Sequence, residues 1–161
     1  MINQKNYDCM LHTKLNDLDE IKGPVVDLRL IAFYTRHLSD GIPFYWFDIV
    51  IGENKVGKIS LRLGYNETTR IHGHVGYEID SEYQGHHYSY YALEMIKDLA
   101  RLHGFQYILI TTTIDNIASQ KMIMQAHGEL ILSDYEIPKD HIYYVMGKPN
   151  MNLYEIKLGD I

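Results

Sequence analysis

The segment from Gly73 to Ile110 limits the fold more than any other part of the chain. Its centre is amphipathic: Ala92, Leu93, Ile96, Leu99 and Ala100 recur at helical spacing, with Glu94, Lys97, Asp98 and Arg101 on the other face. Gly104 stands where a left-handed cap ends such a helix. Gly73 to Ile79 precedes it as a strand. Phe105 to Ile110, flanked by Thr111, Thr112 and Thr113, follows as a dense apolar run of the kind buried on both faces. Strand, helix and strand in that order form a crossover, which lays the two strands parallel in one sheet.

The other elements read as mostly antiparallel. Val25 to Phe33, Phe44 to Ile51 and Lys55 to Leu63 alternate or are β-branched and aromatic, as strands are. Asp40-Gly41-Ile42-Pro43 is a turn, and Gly52-Glu53-Asn54 closes a hairpin. Asp115 or Asn116 caps a second helix from Ile117 to His127, stopped by Gly128. Glu129 to Tyr135 and Asn152 to Leu158 are the last strands, and 136–150, with Pro138 and Pro149, is an excursion between them. The expected fold is mixed α/β (α+β): about six to seven strands, mostly antiparallel, with a parallel central pair flanked by helices. No repeat or linker divides residues 1–161, so one domain is expected, with 1–22 as an N-terminal arm.

Charge and composition exclude several functions. The net charge is -6, whereas binding along a phosphate backbone needs a positive stripe, so nucleic acid is not expected as the main partner. No run of about 18 apolar residues is present, so no membrane span is expected. The single cysteine, Cys9, reads as an incidental thiol; it forms no internal disulfide and fits no zinc spacing. With no apolar secretion signal at the start, the expected location is the cytoplasm. His86 and His87 are adjacent in a turn and lack a third ligand, so no metal is expected.

The turn Gln84-Gly85-His86-His87-Tyr88-Ser89 carries the functional signal. A helix start leaves its first N–H groups without intrahelical partners, and the helix dipole adds positive charge there. A glycine in such a turn lets a ligand approach the backbone, which suits an anion and above all phosphate. The competing reading is a plain turn geometry with no ligand.

The stretch "IDSEYQGHHYSYY" resembles the pyrophosphate turn of the Gcn5-related N-acetyltransferase (GNAT) family, whose form is R/Q-x-x-G-x-G/A after the fourth strand. "DNIASQKMIMQAHG", from Asp115 to Gly128, resembles that family's asparagine-led helix. "KVGKISLRLG" and "GHVGYEID" look like its third and fourth strands, and the likeness covers roughly Val25 to Leu158. The resemblance implies an acyl-CoA N-acyltransferase-like fold and acetyl-coenzyme A (acetyl-CoA) as cosubstrate. It implies that Gln84, Gly85, His86, His87, Tyr88 and Ser89 hold the pyrophosphate, that Asn116 and Ser119 meet the pantetheine arm, and that backbone groups from Tyr77 to Ile79 serve the thioester. His87 stands at the glycine of that form and Ser89 at its final glycine or alanine. The family's tyrosine acid, seven positions after the motif asparagine, is replaced by Ile123, leaving Ser119, Tyr143, Tyr144, Tyr154 or solvent for that role. The short segment 32–43 leaves little room for the helices that cover the family's acceptor site.

Acetyl transfer needs an unprotonated amine and therefore a proton acceptor. His74 and then Glu78, four residues apart on one strand, are the candidate bases. His72 is a weaker candidate and reads as a turn residue. For His74 the competing reading is a histidine hydrogen-bonded within the sheet. The expected reaction is direct transfer to a primary amine, and the acidic surface favours a small cationic acceptor. The alternatives are a degenerate module that binds CoA or another phosphate ligand without turnover, and a transferase acting on proteins. Exposed strand edges allow a homodimer.

Overall fold

The computed structural model describes residues 6–37 and 40–159. Residues 1–5 of the predicted arm, and 38–39 of the short connection, lie outside them.

Five strands build the first sheet in sequential order: β1 (Glu20–Ile21), β2 (Asp27–Tyr34), β3 (Phe44–Ile51), β4 (Asn54–Arg62) and β5 (Val75–Ile79), all antiparallel. The alternating side chains explain the register. Tyr45, Phe47, Ile49, Ile59 and Leu61 all face inward, buried, and each contributes roughly 1.5–3 kcal/mol of burial. The short helix α1 (Thr69–His72) precedes β5. The long helix α2 (Tyr88–Leu102) covers the inner face through Leu93, Ile96 and Ala100, which join the same core. Gly104 takes the predicted left-handed conformation at φ 86.

The second sheet is β6 (Tyr107–Thr113), β8 (Met151–Lys157) and β7 (Gly128–Tyr135), in that spatial order and antiparallel. Helix α3 (Ile117–Gln125) joins β6 to β7, and the excursion before β8 holds one turn of helix, α4 (Ile142–Val145). At the end of α3 the left-handed residue is His127, at φ 70, not Gly128. Gly128 is needed for contact, because a Cβ there would lie 2.5 Å from the Ile123 side chain.

The expected single sheet with a parallel central pair is not what forms. Among the described residues, eight strands divide into two sheets, and β5 and β6 make no ladder. They touch at one end, where His74 N–H donates to Leu109 O at 2.7 Å. The Leu109 N–H then donates to the His74 ring at Nδ1, 2.8 Å away, rather than to a strand carbonyl, which ends the pairing. Beyond that point the two sheets part and leave a wedge.

The N-terminal arm belongs to the fold. Tyr7 and Cys9 are buried, the Tyr7 hydroxyl donates to Glu155 on β8, and the N–H groups of Met10 and Leu11 donate to His103 O at 2.9 and 3.0 Å. No described helix is long and apolar enough to cross a membrane.

Candidate active site

β5 ends in a 3-10 turn (Ser81–Tyr83), and the predicted anion turn carries the chain into α2. Gly85 and His87 adopt left-handed φ values of 91 and 63. They curl the backbone at the positive end of a 15-residue helix. Among the described residues, none of the N–H groups from Gly85 to Ser89 donates to a backbone carbonyl. A Cβ at Gly85 would meet nothing within 4 Å, so the space beside the turn is open. The Gln84 side chain anchors the turn by donating from Nε2 to Ile79 O at 3.2 Å.

These amides border a groove of about 320 Å³. Tyr77, Ile79, Gln84, Gly85, His86, His87, Tyr88, Ser89, Asn116 and Ser119 all line it, so every residue the sequence suggested for the cosubstrate falls at one place. Asn116 is the α3 cap: its side-chain oxygen accepts from Ser119 N–H at 3.1 Å, which leaves the amide Nδ2 free to donate. The Tyr77 hydroxyl reaches across the wedge to hydrogen-bond the Ser119 hydroxyl. Burial raises the Tyr77 pKa, so the phenol stays protonated.

Tyr77, Asn116 and Ser119 also line a second recess, of about 280 Å³, between residues 75–77 of β5 and 111–113 of β6. His72, Tyr143 and Lys148 close its far side. The α4 loop carries two of these residues back to α1. Tyr143 N–H donates to His141 Nδ1 at 3.0 Å, so the neutral His141 ring carries its proton on Nε2. That nitrogen lies 3.2 Å from His72 Nε2 and donates to it. His72 therefore carries its own proton on Nδ1, which faces the Tyr143 hydroxyl oxygen at 3.4 Å. Burial, first, and then the nearby Arg62 and His141 push the His72 pKa down to about 4. Nothing in the sequence pointed to His141 or Lys148, since 69 residues separate the two imidazoles that meet.

The two candidate bases separate. His74 is fully buried, lines neither recess, and has its Nδ1 committed to Leu109. Among the described residues its buried Nε2 makes no hydrogen bond of good geometry, and desolvation pushes its pKa down to about 4 against the opposing effect of the Tyr7 and Gly64 backbones. It occupies the place of a core histidine. Glu78 is exposed, borders the groove, and has Lys58 Nζ at 3.6 Å. Ile123, at the family's tyrosine position, is fully buried, as Gly128 pressed against it requires.

Two antiparallel sheets part in a wedge, with an open amide turn at its mouth. The sequence matches the acetyltransferase (GNAT) family over residues 12–128, and the chain belongs to that family. Among solved structures it is similar to RimL, the ribosomal L7/L12 alpha-N-protein acetyltransferase, in complex with coenzyme A. There the TM-score is 0.54 at 19% identity over 71% of this chain and 62% of that one. The microcin C7 self immunity acetyltransferase MccE, in complex with acetyl-CoA and AMP, gives 0.53 at 16% identity over 71% and 61%. A Sphaerobacter thermophilus DSM 20745 protein classed as an acetyltransferase gives 0.56 at 13% identity over 87% and 96%. This chain thus spans less than two thirds of the length of the first two. At these identities the likeness is one of fold. No curated protein matches in sequence.

Proposed function

We propose that this protein is an N-acetyltransferase that uses acetyl-CoA and acts on a primary amine of a small molecule, without a covalent enzyme intermediate. One observation carries the reading: a groove with unpaired amides at one end opens, at Tyr77, Asn116 and Ser119, into a second recess between the sheets. The cosubstrate supplies an acetyl thioester. The amides from Gly85 to Ser89 hold its pyrophosphate in the field of α2. Asn116 Nδ2 is free to bond the pantetheine arm. Tyr77, kept protonated by burial, presents a donor where the two recesses meet, suited to a carbonyl oxygen or a departing thiolate. Glu78, at the rim, takes up the proton that the attacking nitrogen must lose; His74 is enclosed and is not assigned that step.

Calorimetric titration with acetyl-CoA, dephospho-coenzyme A and pantetheine tests the reading. Micromolar binding of the first two, with pantetheine far weaker, is the expected pattern, because only pantetheine lacks the pyrophosphate. Absence of all three isotherms removes the enzyme reading. Binding without transfer to any amine favours a module that holds CoA and does not turn over.

A further inference from the structure

We infer that the acceptor is an amine that also carries an anionic group, a carboxylate or a phosphate, and that Tyr143 and Lys148 hold that group in the recess between β5 and β6. The inference rests on the acetyl-transfer reading for the amine and on the recess lining for the anion. Among the described residues, no aspartate or glutamate lines this recess. Asp40, which acts on His72 from nearby, is paired with Arg62, whose Nε donates to it at 3.0 Å. Lys148 does line it, with Nζ 5.7 Å above the Tyr143 ring and no carboxylate partner among the described residues.

A cation held against an aromatic face and left uncompensated attracts negative charge. The histidine circuit adds a second, independent donor. Since His72 Nδ1–H is directed at the Tyr143 hydroxyl oxygen, the hydroxyl's own proton is free to point into the recess. His141 and His72 act as positioning residues for that hydroxyl. The net charge of -6 suits a cationic acceptor only at long range, and the recess lining selects the opposite sign.

Matched amines test this on the protein saturated with coenzyme A. Phenylalanine is compared with phenethylamine, and phosphoethanolamine with ethanolamine. Binding is followed by calorimetry, and turnover by free-thiol release with acetyl-CoA in place of CoA. The anionic member of at least one pair is expected to bind roughly tenfold tighter than its partner, as one charge-assisted contact allows. The preferred pair separates carboxylate from phosphate. Lys148→Met, a change at an exposed side chain, is expected to erase the difference, and Tyr143→Phe to reduce it. Equal or better binding of the non-anionic amines overturns the inference. So does a preference that survives Lys148→Met, or failure of all four to bind. In each of these cases an intact CoA isotherm leaves the acetyl-transfer reading standing.

Discussion

His74 and His72 are neutral for a shared reason and serve different ends. The first accepts the Leu109 N–H in the core, and the second lies in the wedge between His141 and Tyr143. Both have folded pKa values near 4 against an ordinary 6.5, with desolvation the largest cause. A depressed histidine pKa stabilises the fold fully above about 6.5, and that contribution is lost as pH falls toward 4. For the fully buried His74 the loss is roughly 3 kcal/mol. Urea unfolding at pH 7, 5.5 and 4.5 is therefore expected to show stability dropping steeply through this window. His74→Asn keeps an acceptor for the Leu109 amide but does not titrate. It is expected to lower stability at pH 7 and flatten part of the slope, with His72 and His103, whose pKa values burial also lowers, contributing to what is left. An unchanged slope in that variant would mean that the buried ring does not govern the acid limb.

At the level of elements, the anion turn contains two left-handed residues with opposite consequences. Gly85, at φ 91, has open space around its missing Cβ, so Gly85→Ala costs only backbone strain, about 1–2 kcal/mol. His87, at φ 63, already bears that strain, and His87→Gly relieves about 0.5–1 kcal/mol of it. Thermal unfolding is expected to fall for the first variant and rise by about 2–3 °C for the second. A fall in both would mean that the histidine side chain holds the turn in some other way. The turn, the α2 stripe and the asparagine that starts α3 were legible because each is written in consecutive residues. The cap was left open between Asp115 and Asn116, and only the Ser119 amide decides it. The left-handed His127 was invisible, because glycine next door drew the expectation and its contact with Ile123 is set by packing.

On the scale of the molecule, the division into two sheets could not be read from strand patterns. A crossover helix predicts a parallel neighbour, and what prevents the ladder is a single imidazole taking the Leu109 amide 35 residues along the chain. The same limit hid the meeting of His72 with His141 and Tyr143, which the α4 loop returns to α1 only in three dimensions. Two sheets that pair so little need other ties, and the N-terminal arm is one. It bonds β8 through Tyr7 and Glu155, passes the end of α2 at the His103 carbonyl, and reaches β3 at Tyr45. There the Tyr45 hydroxyl accepts from Leu15 N–H at 2.8 Å. His103 Nδ1–H donates to Leu11 O at 2.8 Å, which leaves Nε2 to accept from the Tyr45 hydroxyl at 2.7 Å. Tyr45→Phe keeps the ring and strands both partners, His103 among them at 0% exposure. Each unpaired group costs about 1–3 kcal/mol, so a loss of roughly 2–6 kcal/mol in urea unfolding is expected. Neither Tyr45 nor His103 lines the groove, so acetyl-CoA affinity at 25 °C should be unchanged while the fold holds. A loss below about 0.5 kcal/mol would show that the arm's contacts with Tyr45 and His103 do not help to tie the sheets.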